Sequence, residues 1–215
     1  MSLAVSCPRC GGPVRPPGLT HSQWLCDSCG PVLPLHTASR VNREVVASAV
    51  ERAKRDGMPM WCPWPMPPGW MVTGLGWVAD DRSRVAATAV ACTGPTPLGD
   101  GPADVVLVAE EPGVGLGARM AGLPGQPDLG PDIAGAGSHA KVKAAGHPTP
   151  LWSVEVPPDR SVYAGEAKGR WIYAIAWPAH AGYFFAENPV LHDLAEWLPA
   201  ELVFGAPSPR LSSST

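Results

Sequence analysis

Two C-x2-C pairs, Cys7-Pro-Arg-Cys10 and Cys26-Asp-Ser-Cys29, stand fifteen residues apart near the start of the chain. That spacing is the C-x2-C-x15–20-C-x2-C pattern of a zinc site. Two residues between cysteines let one tight turn present both thiolates, and four thiolates complete a tetrahedral shell with Zn–S distances of about 2.3 Å. Gly11 and Gly30 each follow the second cysteine of a pair, where a residue tolerant of positive φ lets the backbone wrap closely. One structural Zn²⁺ on Cys7, Cys10, Cys26 and Cys29 is therefore expected. A shell filled by four sulfurs leaves no position for water or substrate, so the sequence gives no reason to assign catalysis to this centre. C-x-x-C pairs also serve in thiol exchange, and that is the rival reading. His21 and His36 lie close enough in sequence to act as substitute donors. Cys62 and Cys92 stand alone and read as small buried hydrophobes.

The rest of the chain can build a core. The whole sequence has 215 residues, 45% hydrophobic and 16% charged, with 27 prolines and 24 glycines that call for many turns. Residues 1–57 hold seven Lys/Arg against four Asp/Glu, and residues 58–215 hold nine against fifteen, so a basic N-terminal part precedes an acidic body. Within 1–36 the charges are only Arg9, Arg15 and Asp27, far from the dense basic stripe of a dedicated nucleic-acid module. The start, Met-Ser-Leu-Ala-Val-Ser, lacks the basic and apolar regions of a signal peptide. The apolar run 171–186 is broken by Pro178 and His180 and falls short of the roughly 20 residues of a spanning helix. A cytoplasmic protein with reduced cysteines is expected.

Four segments follow. Residues 1–36 read as a zinc ribbon with short strands near 13–15, 23–25 and 32–35. Residues 37–57 read as a connecting amphipathic helix over about 39–56, capped by Thr37 or Ser39 and stopped by Gly57. Val41, Val45, Val46, Ala49, Val50 and Ala53 form its apolar stripe. Residues 58–206 read as an α+β domain with a mainly antiparallel sheet and few helices. Strands are expected at 69–79, 84–92, 103–109, 151–156, 161–164, 171–177 and 183–186, and a helix at 188–198 is expected from the Asn188-Pro189 start. Residues 111–150, with nine glycines and six prolines, read as a flexible Gly/Pro-rich loop. Residues 207–215 read as a disordered tail. Proline recurs too often in 58–69 for a helix. Its Trp61 and Trp64, with Trp70 and Trp77 beyond, form either a lid on the core or an exposed recognition surface.

Hydrolytic motifs are absent: there is no G-x-S-x-G, H-E-x-x-H or P-loop. Gly113, Gly115 and Ala118 fit G-x-G-x-x-A, but the segment allows only a short following helix, so a plain glycine loop is the simpler reading. His147 before a strand, and His180 near Glu187 or His192, are the acid/base candidates weighed against ordinary structural histidines.

The knuckles Cys-Pro-Arg-Cys-Gly and Cys-Asp-Ser-Cys-Gly resemble those of the zinc-ribbon superfamily. Together with Trp-Cys-Pro-Trp-Pro, Asp-Val-Val-Leu-Val-Ala-Glu-Glu-Pro-Gly and Gly-His-Pro-Thr-Pro-Leu-Trp, the chain looks like a family of uncharacterised actinobacterial proteins of unknown function. The resemblance implies a bacterial cytoplasmic protein and transfers only the ligand role of the four cysteines. The leading expectation is a non-catalytic binding or adaptor protein that meets a protein partner through the ribbon and helix 39–56. The alternatives are an enzyme with its site in the α+β body, and nucleic-acid binding through residues 1–57.

Overall fold

The computed structural model describes residues 3–19, 21–99, 101–123 and 137–211. Strands hold 39% of the chain and helices 14%, so it is sheet-dominated and α+β describes it only roughly. Apart from a three-stranded ribbon of β2 (Val14–Arg15), β3 (Leu25–Cys26) and β4 (Gly30–Pro31), the strands of the described residues form one eleven-stranded sheet. Its first half is β1 (Leu3–Ser6), β5 (Leu35–Ala38), β7 (Met71–Val78), β8 (Ala87–Pro95), β9 (Pro102–Glu110) and β13 (Arg170–Trp177), side by side. It continues through β12 (Ser161–Ala167), β11 (His147–Ser153), β10 (Ala140–Ala144), β14 (Val190–Asp193) and β6 (Trp61–Pro63). All neighbours are antiparallel except β10 and β14. The four-cysteine segment is thus an excursion out of the β1–β5 pair, and both ends of the stretch read as a ribbon belong to the main sheet.

Alternation along the central strands divides the core in two, because successive side chains point to opposite faces. From β9, Val105, Leu107 and Ala109 enter one core, while Val106 and Val108 enter the other. The first core lies under α1 (Arg43–Asp56) and under β6, which folds back across β8 and β9. The second is covered by α2 (Leu116–Ala121) and by Leu33 at the end of the ribbon. Ala89 and Ala91 of β8 line this second core. Gly117 of α2 lies so close to Tyr173 that a Cβ there would fall 2.2 Å from the ring.

Helix α1 ends at Gly57 as the sequence implies, in the left-handed conformation (φ 70°) with its N–H bonded to the Ala53 and Lys54 carbonyls. Its start differs. Thr37 belongs to β5, and the cap is Asn42, whose side chain accepts from the Val45 N–H at 2.9 Å. At the other end the Asp56 carboxylate accepts from the Val85 N–H (2.9 Å) and from Arg55 (2.9 Å), tying the helix to the start of β8. The Arg55 bond, then the Val85 N–H, outweigh burial and hold the Asp56 carboxyl below the usual carboxylate range. A folded-state pKa below the unfolded one stabilises the protein above the unfolded value, about 3.9, and the gain disappears as pH falls through the folded value. Asp56→Asn is therefore expected to cost about 1–3 kcal/mol at neutral pH. The difference from wild type should shrink as urea melts are taken below about pH 4; a constant difference would remove Asp56 from the account.

Four further expectations change. Residues 183–186 are not a strand: a 3-10 turn at Ala179–Gly182 runs into α3 (Tyr183–Ala186), which buries Phe184 and Phe185. The helix expected at 188–198 is replaced by β14 and turns. Asn188 takes φ 51°, and β14 pairs with both β10 and β6, burying Leu191 and leaving Leu194 buried in the turn beyond. The stretch 111–150 contains α2, β10 and most of β11, with β10 and β11 joined by a two-residue turn at Ala145 and Gly146, both at positive φ. Such turns match the right-handed strand twist. The part of that stretch at 124–136 lies outside the described residues. The tail is packed as far as Leu211, which fits against Gly74 in the second core; residues 212–215 lie outside the description.

Candidate metal centre

The ribbon places its four sulfurs around one point. At the first knuckle the Gly11 N–H donates to the Cys7 carbonyl (2.9 Å) and the Cys7 N–H to the Gly12 carbonyl (2.8 Å), with Gly11 at φ 78°. At the second, Cys26 pairs with Gly30 across β3 and β4, and Gly30 takes φ 74°. The Sγ atoms of Cys7, Cys10, Cys26 and Cys29 all lie within 4.8 Å of one another, and Cys10 and Cys26 approach to 3.5 Å. A tetrahedron with Zn–S bonds of about 2.3 Å has S–S edges of about 3.8 Å, so the cluster needs only small adjustments to hold an ion. The Gly12 N–H points at the Cys10 sulfur at 3.4 Å.

Crowding four thiols makes some of them hard to ionise. Burial, then the neighbouring Cys10 and Cys7 thiols, push Cys29 up to about 12, and burial raises Cys7. Burial also opposes ionisation of Cys26, but the backbone N–H groups of Cys29 and Ser28 and the other thiols outweigh it, and the net direction is down. Without an ion the cluster holds protons, which a metal displaces on binding. A divalent ion on four thiolates has a net charge of −2, and the body supplies a counter-charge. Arg119 of α2, half-buried, brings its guanidinium against Gly11; burial lowers its pKa, and the nearby Cys7 and Cys10 act in the opposite direction.

Arg9, between the first two cysteines, seats the ribbon on the body. Its guanidinium donates to the Gly113 carbonyl (2.9 Å) and the Val114 carbonyl (3.3 Å). Those carbonyls belong to the glycine-rich loop leading into α2, and Glu110 organises that loop from below. Fully buried at the end of β9, Glu110 accepts from the Leu116 N–H (2.8 Å) and the Gly117 N–H (3.1 Å). This resolves the G-x-G-x-x-A resemblance. The first-turn amides of α2 already face a carboxylate, the helix has six residues, and β9 and β13 are antiparallel, so the glycines serve a ribbon seat.

Between ribbon and body lies a cleft of about 360 Å³, with Trp24 and Val32 on the ribbon side and Val78, Asp80 and Glu111 on the other. The remaining candidates lie elsewhere. His21 bonds the Gln23 carbonyl, and His36 bonds the Ala79 carbonyl and stacks on Trp77; neither joins the sulfur cluster. His147 is exposed at the start of β11, and His180 lies near Gly99 while His192 bonds the Trp197 carbonyl. Cys62 and Cys92, far apart in sequence, meet in the first core, where contact with the Cys62 thiol and burial keep Cys92 protonated.

Arg9, Glu110 and Arg119 were missed by sequence reasoning. One signal was available: Glu110 continues the alternation of Val106 and Val108 toward the second core. Nothing comparable singles out Arg9 or Arg119, whose roles depend on how the ribbon docks.

Fold and site together define a sheet-dominated protein with four N-terminal cysteines placed to hold a metal ion. The chain belongs to a family of unknown function, DUF6758, which matches residues 1–211. No curated protein and no solved structure matches it. No helix among the described residues is long and apolar enough to cross a membrane.

Proposed function

We propose that this chain is a non-catalytic binding or adaptor protein of the bacterial cytoplasm, with one structural Zn²⁺ on Cys7, Cys10, Cys26 and Cys29. The observation that carries this reading is the compact four-sulfur cluster, whose donors fill a tetrahedral shell. All-sulfur tetrahedral sites favour zinc or iron–sulfur chemistry, and zinc is the ion for two knuckles enclosing a single position. Reduced thiols suit the cytoplasm. The ribbon is the partner-facing element, since residues flanking its cysteines form one wall of the open cleft. Helix α1 packs over the opposite core and offers a separate surface. Its basic face is partly committed: Arg43 donates to the Pro199 and Ala200 carbonyls, and Arg55 pairs with Asp56.

Nucleic-acid binding is less well supported, because Arg9 is turned to the body and Arg15 is paired with Asp27 at 2.5 Å. The enzyme reading rests on the same cleft, where Asp80 and Glu111 are the acidic groups. Affinity capture from native cells, with wild type beside Cys26→Ser, tests the proposal. Partners specific to the wild type are expected to vanish with the metal site. An unchanged partner set would move the function into the sheet domain.

A further inference from the structure

Of the four tryptophans between residues 61 and 77, Trp61, Trp70 and Trp77 are buried, but Trp64 is not. Its ring stands against that of Trp197 at 77° with centroids 6.1 Å apart, and Trp197 is 52% exposed. Beside them a groove of about 170 Å³ runs between Trp64 and the wall made by Phe184, Pro189 and Val190, with Glu187 also lining it. None of its lining residues borders the ribbon cleft.

The geometry points to a docking site for a proline-rich, extended peptide segment that carries a basic residue. Three observations select this occupant. First, among the described residues neither the Trp64 nor the Trp197 indole N–H donates a hydrogen bond. Polyproline II segments leave their carbonyls free of internal hydrogen bonds, so they can accept from such donors; a helix has bonded most of its own. Two rings near a right angle also form a notch for a proline ring, as in aromatic-lined grooves that bind such segments. Second, Glu187 is exposed and forms no ion pair among the described residues, which complements Lys or Arg on the peptide. Third, β6 is the terminal strand of the sheet, yet Pro63 and Pro65 lack the N–H groups that an added strand would need. The notch is also rigid. The Trp64 backbone N–H donates to the Val190 carbonyl (2.9 Å), and His192 bonds the Trp197 carbonyl (2.8 Å) while its ring meets the indole edge-on.

The test is an NMR titration of the ¹⁵N-labelled full chain with the peptide acetyl-Pro-Pro-Leu-Pro-Pro-Arg amide, beside a control with alanine in place of every proline. The indole N–H signals of Trp64 and Trp197 are expected to shift with the proline peptide and not with the control. Trp197→Ala should weaken binding about tenfold or more, and Glu187→Gln about threefold with a reduced salt dependence. Both positions are exposed, so the variants should keep the wild-type metal content and melting temperature. Equal shifts with the control, shifts mapping to another surface, or no shift at millimolar peptide would overturn the proposal. Self-association abolished by Trp197→Ala would also overturn it, by assigning the groove to a second copy. The site is independent of the zinc reading, so it can stand or fall separately from the ribbon.

Discussion

Cys26→Ser is expected to lose both the metal and the folded ribbon while the large sheet survives. Cys26 is central to the cluster: it is 3.5 Å from the Cys10 sulfur, and its backbone pairs with Val14 on one side and Gly30 on the other. A structural zinc contributes about 10–16 kcal/mol to folding the element it holds. The ribbon has little else, since its strands are two residues long and its Arg15–Asp27 pair is exposed. The damage should stay local because β1 and β5 anchor both ends of the excursion to the sheet. Releasing a loop between anchored ends changes closure entropy only slowly with its length. Amides of residues 7–34 should therefore exchange freely in the variant, and in wild type stripped by a chelator, while β8, β9 and β13 stay protected. Continued protection of the ribbon without metal would show that packing, through Arg9 and Leu33, suffices to fold it.

Glu110→Ala is expected to destabilise the body by about 3–5 kcal/mol, at the upper end for a single substitution. The carboxylate is fully buried and accepts from the Leu116 and Gly117 N–H groups. Truncation leaves two buried donors unpaired, each at a cost of about 1–3 kcal/mol, and opens a void behind α2. The helix cannot settle inward to fill it, because Gly117 already touches the Tyr173 ring. Since the loop before α2 carries the carbonyls that hold Arg9, the same variant should loosen the ribbon on the body. Glu110→Gln keeps one acceptor and should cost less. Denaturant melts measure both, and a loss within about 1 kcal/mol for Glu110→Ala would mean the helix start is satisfied in another way.

The contrast between legible and hidden parts follows from which interactions are local. Knuckle spacing and the glycines after each pair made the four-sulfur cluster readable, because its geometry depends on a few adjacent residues. The runs forming β7, β8, β9 and β13 were readable because strands buried on both faces are continuously apolar. Helix α1 was readable from its valine stripe and Gly57, but its start was misplaced because Thr37 is claimed by β5. Asn188-Pro189 carries a genuine helix-start signature, yet β10 and β6 recruit residues 190–193 as a strand. No local pattern announces that pairing, as both partners are distant in sequence. The seating of the ribbon depends in the same way on contacts more than a hundred residues apart, such as Arg9 to Gly113.

X-ray absorption at the zinc edge of protein purified from its native host, together with metal content per chain, decides whether the four cysteines hold zinc. One zinc per chain is expected, surrounded by four sulfurs at about 2.3 Å with no lighter donor. Metal-free protein with Cys7, Cys10, Cys26 and Cys29 joined as disulfides, or a zinc with a nitrogen or oxygen ligand in its shell, would contradict it.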